Sequence, residues 1–381
     1  MKMQRLKIIL LLLTLIVAAG CSQLNKATDL ITNPTAKERY QRDFKISDEL
    51  FRIWEDQLDL ALTDSVKIET PFLQAGHFTP KSFPVYSYNL DLKMGEKLEV
   101  VVDVDSTSQL VFIELYQLQN DSLGTYKNIS RSDFKRTSLG HEVDASGTYK
   151  VVIQPEIEAS TPFSIRMSTQ PVYRFPVAGA RNTNIQSFWG ANRDGGRRSH
   201  EGIDIFASRG TPVIAVTDGY VTSTGERGLG GKQVWLRDQK RNQSLYYAHL
   251  DSIAIEGRRS VKVGDTIGFV GNTGNARTTP PHLHFGIYKG YRGAIDPLHF
   301  VFQFDEPNFE LPGLIPETPN FVTTGIANLR NLPASSGNSG IIGNLKARDT
   351  ITVLGKANDW YHIRTMDRQA AFIHESLIAP L

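Results

Sequence analysis

The sequence predicts a mainly β, multidomain protein with a short helical segment near its N-terminus. Three observations predict it. Apolar and polar residues alternate through much of residues 76–170. Residues 174–300 are rich in glycine and in short β-like runs. Four prolines (Pro307, Pro312, Pro316 and Pro319) then set off a last β-rich unit. At about 150 residues per domain, 381 residues make two or three domains. A composition of 40% hydrophobic and 22% charged residues excludes a disordered tail, a collagen-like repeat and a multi-span membrane protein.

Residues 1–20 read as an export signal. Lys2, Arg5 and Lys7 form a positive start, Ile8–Val17 is apolar apart from Thr14, and Ala18, Ala19 and Gly20 follow. The apolar run is too short for a membrane span, which needs about 20 residues. Cys21, the single cysteine, comes directly after Gly20. This arrangement resembles the signal of bacterial lipoproteins, although Ala18 stands where leucine is usual. The resemblance implies lipidation at Cys21 and a chain anchored to a membrane from the exported, cell-envelope side. Ser22, rather than Asp, after the cysteine points to the outer membrane if the cell is Gram-negative. With one cysteine there is no internal disulfide. Without the three leader cations, 39 basic residues face 40 acidic ones, so no basic surplus drives nucleic-acid binding.

Residues 21–75 read as a tether ending near Pro34 and a helical segment over 35–63. Ser47 is its candidate N-cap, and Leu50, Phe51, Trp54, Leu58, Leu60 and Ala61 recur at helical spacing. From 76 to 170 the period becomes two. Leu98, Val100, Val102 and Val104 share a face, as do Tyr149, Val151 and Ile153, and Phe163, Ile165 and Met167. Turn signals at Gly95, Asn120–Asp121 and Ser146–Gly147 separate the runs, which predicts an antiparallel β-sandwich. His77 and His141 are isolated there and read as structural or exposed. Residues 301–320 read as a semi-rigid linker, and 321–381 as a small β unit.

Residues 174–300 carry the chemistry. His200 and Asp204 are four apart, His282 and His284 flank Leu283, and His249 lies in Tyr-Tyr-Ala-His-Leu. In a strand, residues two apart share a face. His282 and His284 therefore project together, with Leu283, Phe285 and Ile287 turned to a core. By the same rule Tyr247 and His249 share a face. Asp204 sits between Ile203 and Ile205. A carboxylate aimed into a core is expensive, whereas one facing a cleft and a cation is not. Two histidines and an aspartate with an open fourth position suit a catalytic zinc ion.

These stretches, in order, resemble the LytM/lysostaphin-like zinc metallopeptidases, which cleave peptide bonds in bacterial peptidoglycan. The resemblance rests on Arg198-Ser-His-Glu-Gly-Ile-Asp204, Gly210-Thr-Pro-Val213, Asp218-Gly-Tyr-Val221, Tyr246-Tyr-Ala-His-Leu250, Val263-Gly-Asp-Thr-Ile-Gly268, Gly271-Asn-Thr-Gly274, Pro281-His-Leu-His-Phe285 and Asp296-Pro297. It implies an antiparallel β-sheet with a groove across it. It also implies one zinc ion on His200, Asp204 and His284, with His249 and His282 as catalytic histidines, either of which could be the base. Loops 190–198 and 225–231 are candidate groove walls. Arg197 and Arg198 read as solvated. Glu201 reads as a surface residue, because a His-Glu-x-x-His protease needs a histidine where Asp204 stands.

Residues 321–381 resemble bacterial SH3-like domains through Ala327-Asn-Leu-Arg-Asn-Leu-Pro333, Thr350-Ile-Thr-Val-Leu354 and Asn358-Asp-Trp-Tyr-His-Ile363, with Ala371-Phe-Ile373 in place of the usual Gly-Trp-Val. Such modules bind wall peptide or pack against their own chain, and both readings stand. The sequence is thus read as an exported zinc endopeptidase of peptidoglycan, with a regulatory protein partner left open. Its rivals are a catalytically silent wall-binding lipoprotein that regulates another hydrolase, and a peptidase of protein substrates.

Overall fold

In a computed structural model the described residues are 29, 31–80, 82–105, 109–119, 124–313 and 319–381. The expected signal at 1–20 and Cys21 lie outside them. Strand accounts for 46% and helix for 13%, and the sheets are antiparallel, so the mainly β reading holds. Among the described residues no helix is long and apolar enough to cross a membrane.

The helical segment is three short helices, Ala36–Asp43, Asp48–Glu55 and Gln57–Thr63. The first begins with a capping box between Thr35 and Glu38, and Ser47 caps the second by accepting from the Leu50 amide. Lys45, at φ 52°, breaks the chain between them. Tyr40, Phe51 and Trp54 pack on Leu110, Phe112 and Ile157 of the following sandwich. Their polar tips are satisfied there: Trp54 Nε1 donates to the Pro155 carbonyl at 3.0 Å, and the Tyr40 hydroxyl accepts from the Ile157 amide at 2.9 Å.

One sheet of the sandwich has the order Tyr86–Leu92, Gly147–Pro155, Val111–Leu118, Tyr126–Arg131. The other contains Phe72–His77, Pro162–Pro171, Glu96–Val104 and Ser138–Glu142. Between them lie Leu98, Val100, Val102, Tyr149, Val151, Ile153, Phe163, Ile165 and Met167, all buried. Strand Phe72–His77 precedes the expected boundary at 76 and closes this sheet's side. Its other edge receives strand Thr350–Ala357 of the C-terminal unit, with Ala75 opposite Lys356.

The C-terminal unit therefore continues the sandwich. It has its own small core, including Phe321, Leu329, Ile351, Ile363 and Ile373. Leu354, Ala357, Ala370 and Phe372 instead join the core of the sandwich. Arg364 forks onto Asp64 at 2.9 and 3.2 Å, and the Lys67 amide donates to the Asn331 carbonyl at 2.7 Å.

The middle segment is a separate sheet in the order Arg259–Val261, Gly219–Arg227, Gly231–Asp238, Gln243–Leu250, His282–Tyr288, Ile203–Phe206, Ile185–Ser187. One face buries Ile203, Ile205, Val234, Leu236, Leu245, Leu283, Phe285 and Ile287, and the other is the floor of a cleft. The segment is fixed to the sandwich through Arg241, which bridges Glu142 and buried Asp238 at 2.9 Å each. Phe300 lies on the turn at Gly95 (φ 98°), where a Cβ would come within 2.5 Å of its ring, so only glycine fits.

Candidate metal centre

The register of the middle sheet builds the site. Strand Ile203–Phe206 pairs with His282–Tyr288, with Asp204 opposite His284 and Phe206 opposite His282. Alternation turns Ile203, Ile205, Leu283 and Phe285 into the core, and Asp204, His282 and His284 to the cleft. His200 arrives from the preceding hairpin, its amide bonded to the Ala191 carbonyl at 2.9 Å. Gly202 allows the approach: a Cβ there would meet the Phe285 carbonyl at 2.5 Å and the His284 ring at 2.7 Å.

His200 Nε2 lies 3.0 Å from Asp204 Oδ1 and 3.0 Å from His284 Nδ1, which is 2.9 Å from the same oxygen. Zinc bonds of about 2.0 Å at tetrahedral angles set ligand atoms about 3.3 Å apart, close to this triangle. The donor chemistry agrees. His200 Nδ1 is 2.9 Å from the Phe188 carbonyl, which can only accept, so Nδ1 carries the proton and Nε2 offers a lone pair. A lone pair, a carboxylate oxygen and a second imidazole nitrogen converging at this range fit a cation. Burial alone would raise the Asp204 carboxyl, but without a cation the His200 and His284 rings, when protonated on the nitrogens that face it, outweigh burial and hold it below the usual range.

His249 and His282 stand beside the triangle, rings 5.1 Å apart. Each places Nδ1 2.9 Å from a main-chain carbonyl, of Thr273 and Pro280 respectively. Both must therefore donate from Nδ1, which leaves Nε2 as the acceptor. Burial, and then the nearby His282 and His284, lower His249 to about 4, so it is neutral near pH 7.

One expectation fails. Tyr247 and His249 do not share a face. Tyr247 is buried in the core and its hydroxyl accepts from the Val216 amide at 3.2 Å, while Tyr246 and Ala248 line the cleft. The register between Gly231–Asp238 and Gln243–Leu250 slips between Lys232 and Val234, and His249 has φ 61°. That bulge turns His249 onto the face its position would deny it.

The cleft holds about 660 Å³. Arg193 and Arg198 line it from loop 190–198, and Leu229 and Gly230 from loop 225–231. Arg198, read as solvated, is thus a wall residue. Glu201 is exposed at the rim and accepts from the Tyr288 hydroxyl at 3.3 Å. Sequence reasoning missed Arg193, whose Nη2 donates to Asp204 Oδ2 at 2.8 Å, and Tyr246, whose ring meets His284 edge-on at 5.8 Å. Tyr246 was hidden by the same bulge, since period two counted back from His249 places it on the opposite face. Arg193, in an irregular loop, had no signal.

Residues 198–297 match the model of Peptidase family M23. This chain is 40% identical over 125 residues to the L-Ala–D-Glu endopeptidase of Bacillus subtilis, covering 31% of this chain and 38% of that protein. It is 44% identical over 88 residues to the DD-carboxypeptidase/endopeptidase Mpg of Neisseria meningitidis, covering 23% of this chain and 20% of that one. This chain therefore spans about two-fifths or less of these relatives' lengths. The catalytic domain of lysostaphin from Staphylococcus simulans is 31% identical over 31% of this chain and 92% of that domain, at a TM-score of 0.28. The M23 match contains His200, Asp204, His249, His282 and His284.

Proposed function

We propose that this protein is a zinc-dependent endopeptidase that hydrolyses stem or cross-link peptide bonds of peptidoglycan, exported and anchored to a membrane by lipid on Cys21. The observation that carries the reading is the triangle of His200, Asp204 and His284 beside two further histidines in one cleft, within the M23-matching segment. The names of the relatives support a cell-wall peptide as substrate.

Bound to the triangle, a zinc ion supplies a Lewis acid and a water of lowered pKa. The protein's own groups do the rest. His249 and His282 offer Nε2 lone pairs towards the cleft, so either can take the proton that the attacking water loses. The resulting imidazolium can hydrogen-bond the developing oxyanion and pass its proton to the leaving amine. The carbonyls of Thr273 and Pro280 hold both rings in that tautomer. Tyr246, edge-on to His284, restricts the third imidazole.

Digestion of purified sacculi tests the reading. Zinc-loaded protein should release muropeptides cut at a peptide bond, with release lost in chelator and in His200→Ala. Zinc-free protein that sediments with sacculi and releases nothing supports the regulator reading instead. Equal cutting of a denatured protein supports the general peptidase.

A further inference from the structure

The two oxygens of Asp204 face different partners. Oδ1 closes the triangle with His200 and His284. Oδ2 accepts from Arg193 Nη2 at 2.8 Å, and the same nitrogen reaches Ser187 Oγ at 2.6 Å. Ser187 Oγ is in turn 3.4 Å from His200 Nδ1. One guanidinium is thus joined to two of the three ligand residues. Arg193 lies in the hairpin Asn192–Arg193/Arg198–Ser199, which forms a cleft wall and leads directly into His200. The Arg193 side chain is one-third exposed, while that of Asp204 is only 10% exposed, so the arginine reaches inward from the wall.

We propose that Arg193 is a positioning residue that keeps Asp204 a one-oxygen ligand and ties the wall hairpin to the metal centre. This rests on the reading of the triangle as a zinc site. A carboxylate free to turn can offer both oxygens to a cation and fill the position a reacting water needs. A guanidinium on Oδ2 prevents that, because the nitrogen that reaches Oδ2 is part of a planar head and is also held by Ser187 Oγ, which fixes direction as well as charge. The arginine also draws negative charge away from Asp204, which by itself weakens metal binding. Orientation and charge therefore act in opposite senses on affinity, and positioning requires that orientation win. Carboxylates and histidines on metals are commonly oriented this way, and loss of such a partner costs about 10- to 100-fold in affinity.

The test is zinc affinity of the full chain by competition with a chromophoric chelator, with the d–d absorption of the cobalt(II) form as second readout. Arg193→Ala should weaken zinc binding by about 10- to 100-fold and reduce the cobalt band as coordination rises above four. Arg193→Lys, with charge but no planar head, should restore only part of both. Ser187→Ala should have the smaller effect, and an unchanged far-UV spectrum and melting point establish that the variants are folded. Wild-type affinity and an unaltered cobalt band in Arg193→Ala overturn the proposal and leave the zinc site standing, as does tighter binding. A wild-type chain that binds no zinc overturns the site itself and this inference with it.

Discussion

At the scale of single residues, His249 joins chemistry to backbone strain. Its φ of 61° is one that a residue with a Cβ adopts reluctantly, at a cost on the order of 1 kcal/mol. The bulge accepts that cost because it brings a second free Nε2 into the cleft. His249→Gly should leave stability within about 1 kcal/mol of wild type, because relief of the backbone strain offsets the lost ring and its bond to Thr273, while its turnover falls 10²- to 10⁴-fold, roughly the contribution of a general acid–base. Chemical denaturation and muropeptide release measure the two effects. Loss of both stability and activity would show that the ring is a packing group. Zinc content should stay at one ion per chain, because His249 is not part of the triangle. Gly202→Ala should behave in the opposite way. Its Cβ would press on the His284 ring and the Phe285 carbonyl, costing about 1–3 kcal/mol and displacing a ligand, so metal content and melting temperature should fall together.

At the scale of elements, strand alternation made much of the site legible. His282 and His284 on one face, Leu283 and Phe285 on the other, and Asp204 between two buried isoleucines all follow from period two. The N-terminal helices were visible through Ser47 and the spacing of Phe51 and Trp54. Period two could not show the extra residue that turns His249, because a bulge leaves composition and spacing unchanged. Arg193 was hidden for another reason: its partner lies across an irregular hairpin, and no local rule joins an arginine to a carboxylate there. The continuation of the sandwich into the C-terminal unit was hidden because one strand edge reads alike whether water or another strand covers it. The short helices depend on the sheet they cover. Helices of seven or eight residues are marginal in isolation. Trp54→Ala should therefore cost about 3–5 kcal/mol, by removing a buried ring and its bond to Pro155. Equilibrium denaturation measures it, and a cost below 1 kcal/mol would mean that the helices rest on the sheet without stabilising it.

At the scale of the whole molecule, the chain leaves the sandwich, builds the M23-matching segment, and returns to complete the sandwich with its last unit. The return is sealed around a neutral imidazole. His362 is fully buried against Tyr86, Tyr88 and Phe372, and neither ring nitrogen has a hydrogen-bond partner among the described residues. The Tyr88 hydroxyl and both amide atoms of Gln74 also lack partners among the described residues. Burial, reinforced by the Arg364 guanidinium, pushes His362 down from its ordinary 6.5 to about 3. In the unfolded chain the ring binds a proton below 6.5, and in the docked state it does so only near 3. Between those values the unfolded state holds more protons, so stability rises with pH across the window. The contribution is complete above pH 6.5 and is lost progressively as pH falls towards 3. His362→Leu removes the titration and keeps an apolar side chain in the core. Wild-type protein should lose more melting temperature than this variant between pH 7.5 and 4.5. Cleavage in the 301–320 linker should rise at low pH in the wild type alone if the unit undocks before the rest unfolds. Parallel melting curves for the two proteins across that range would remove His362 as the source of the acid sensitivity.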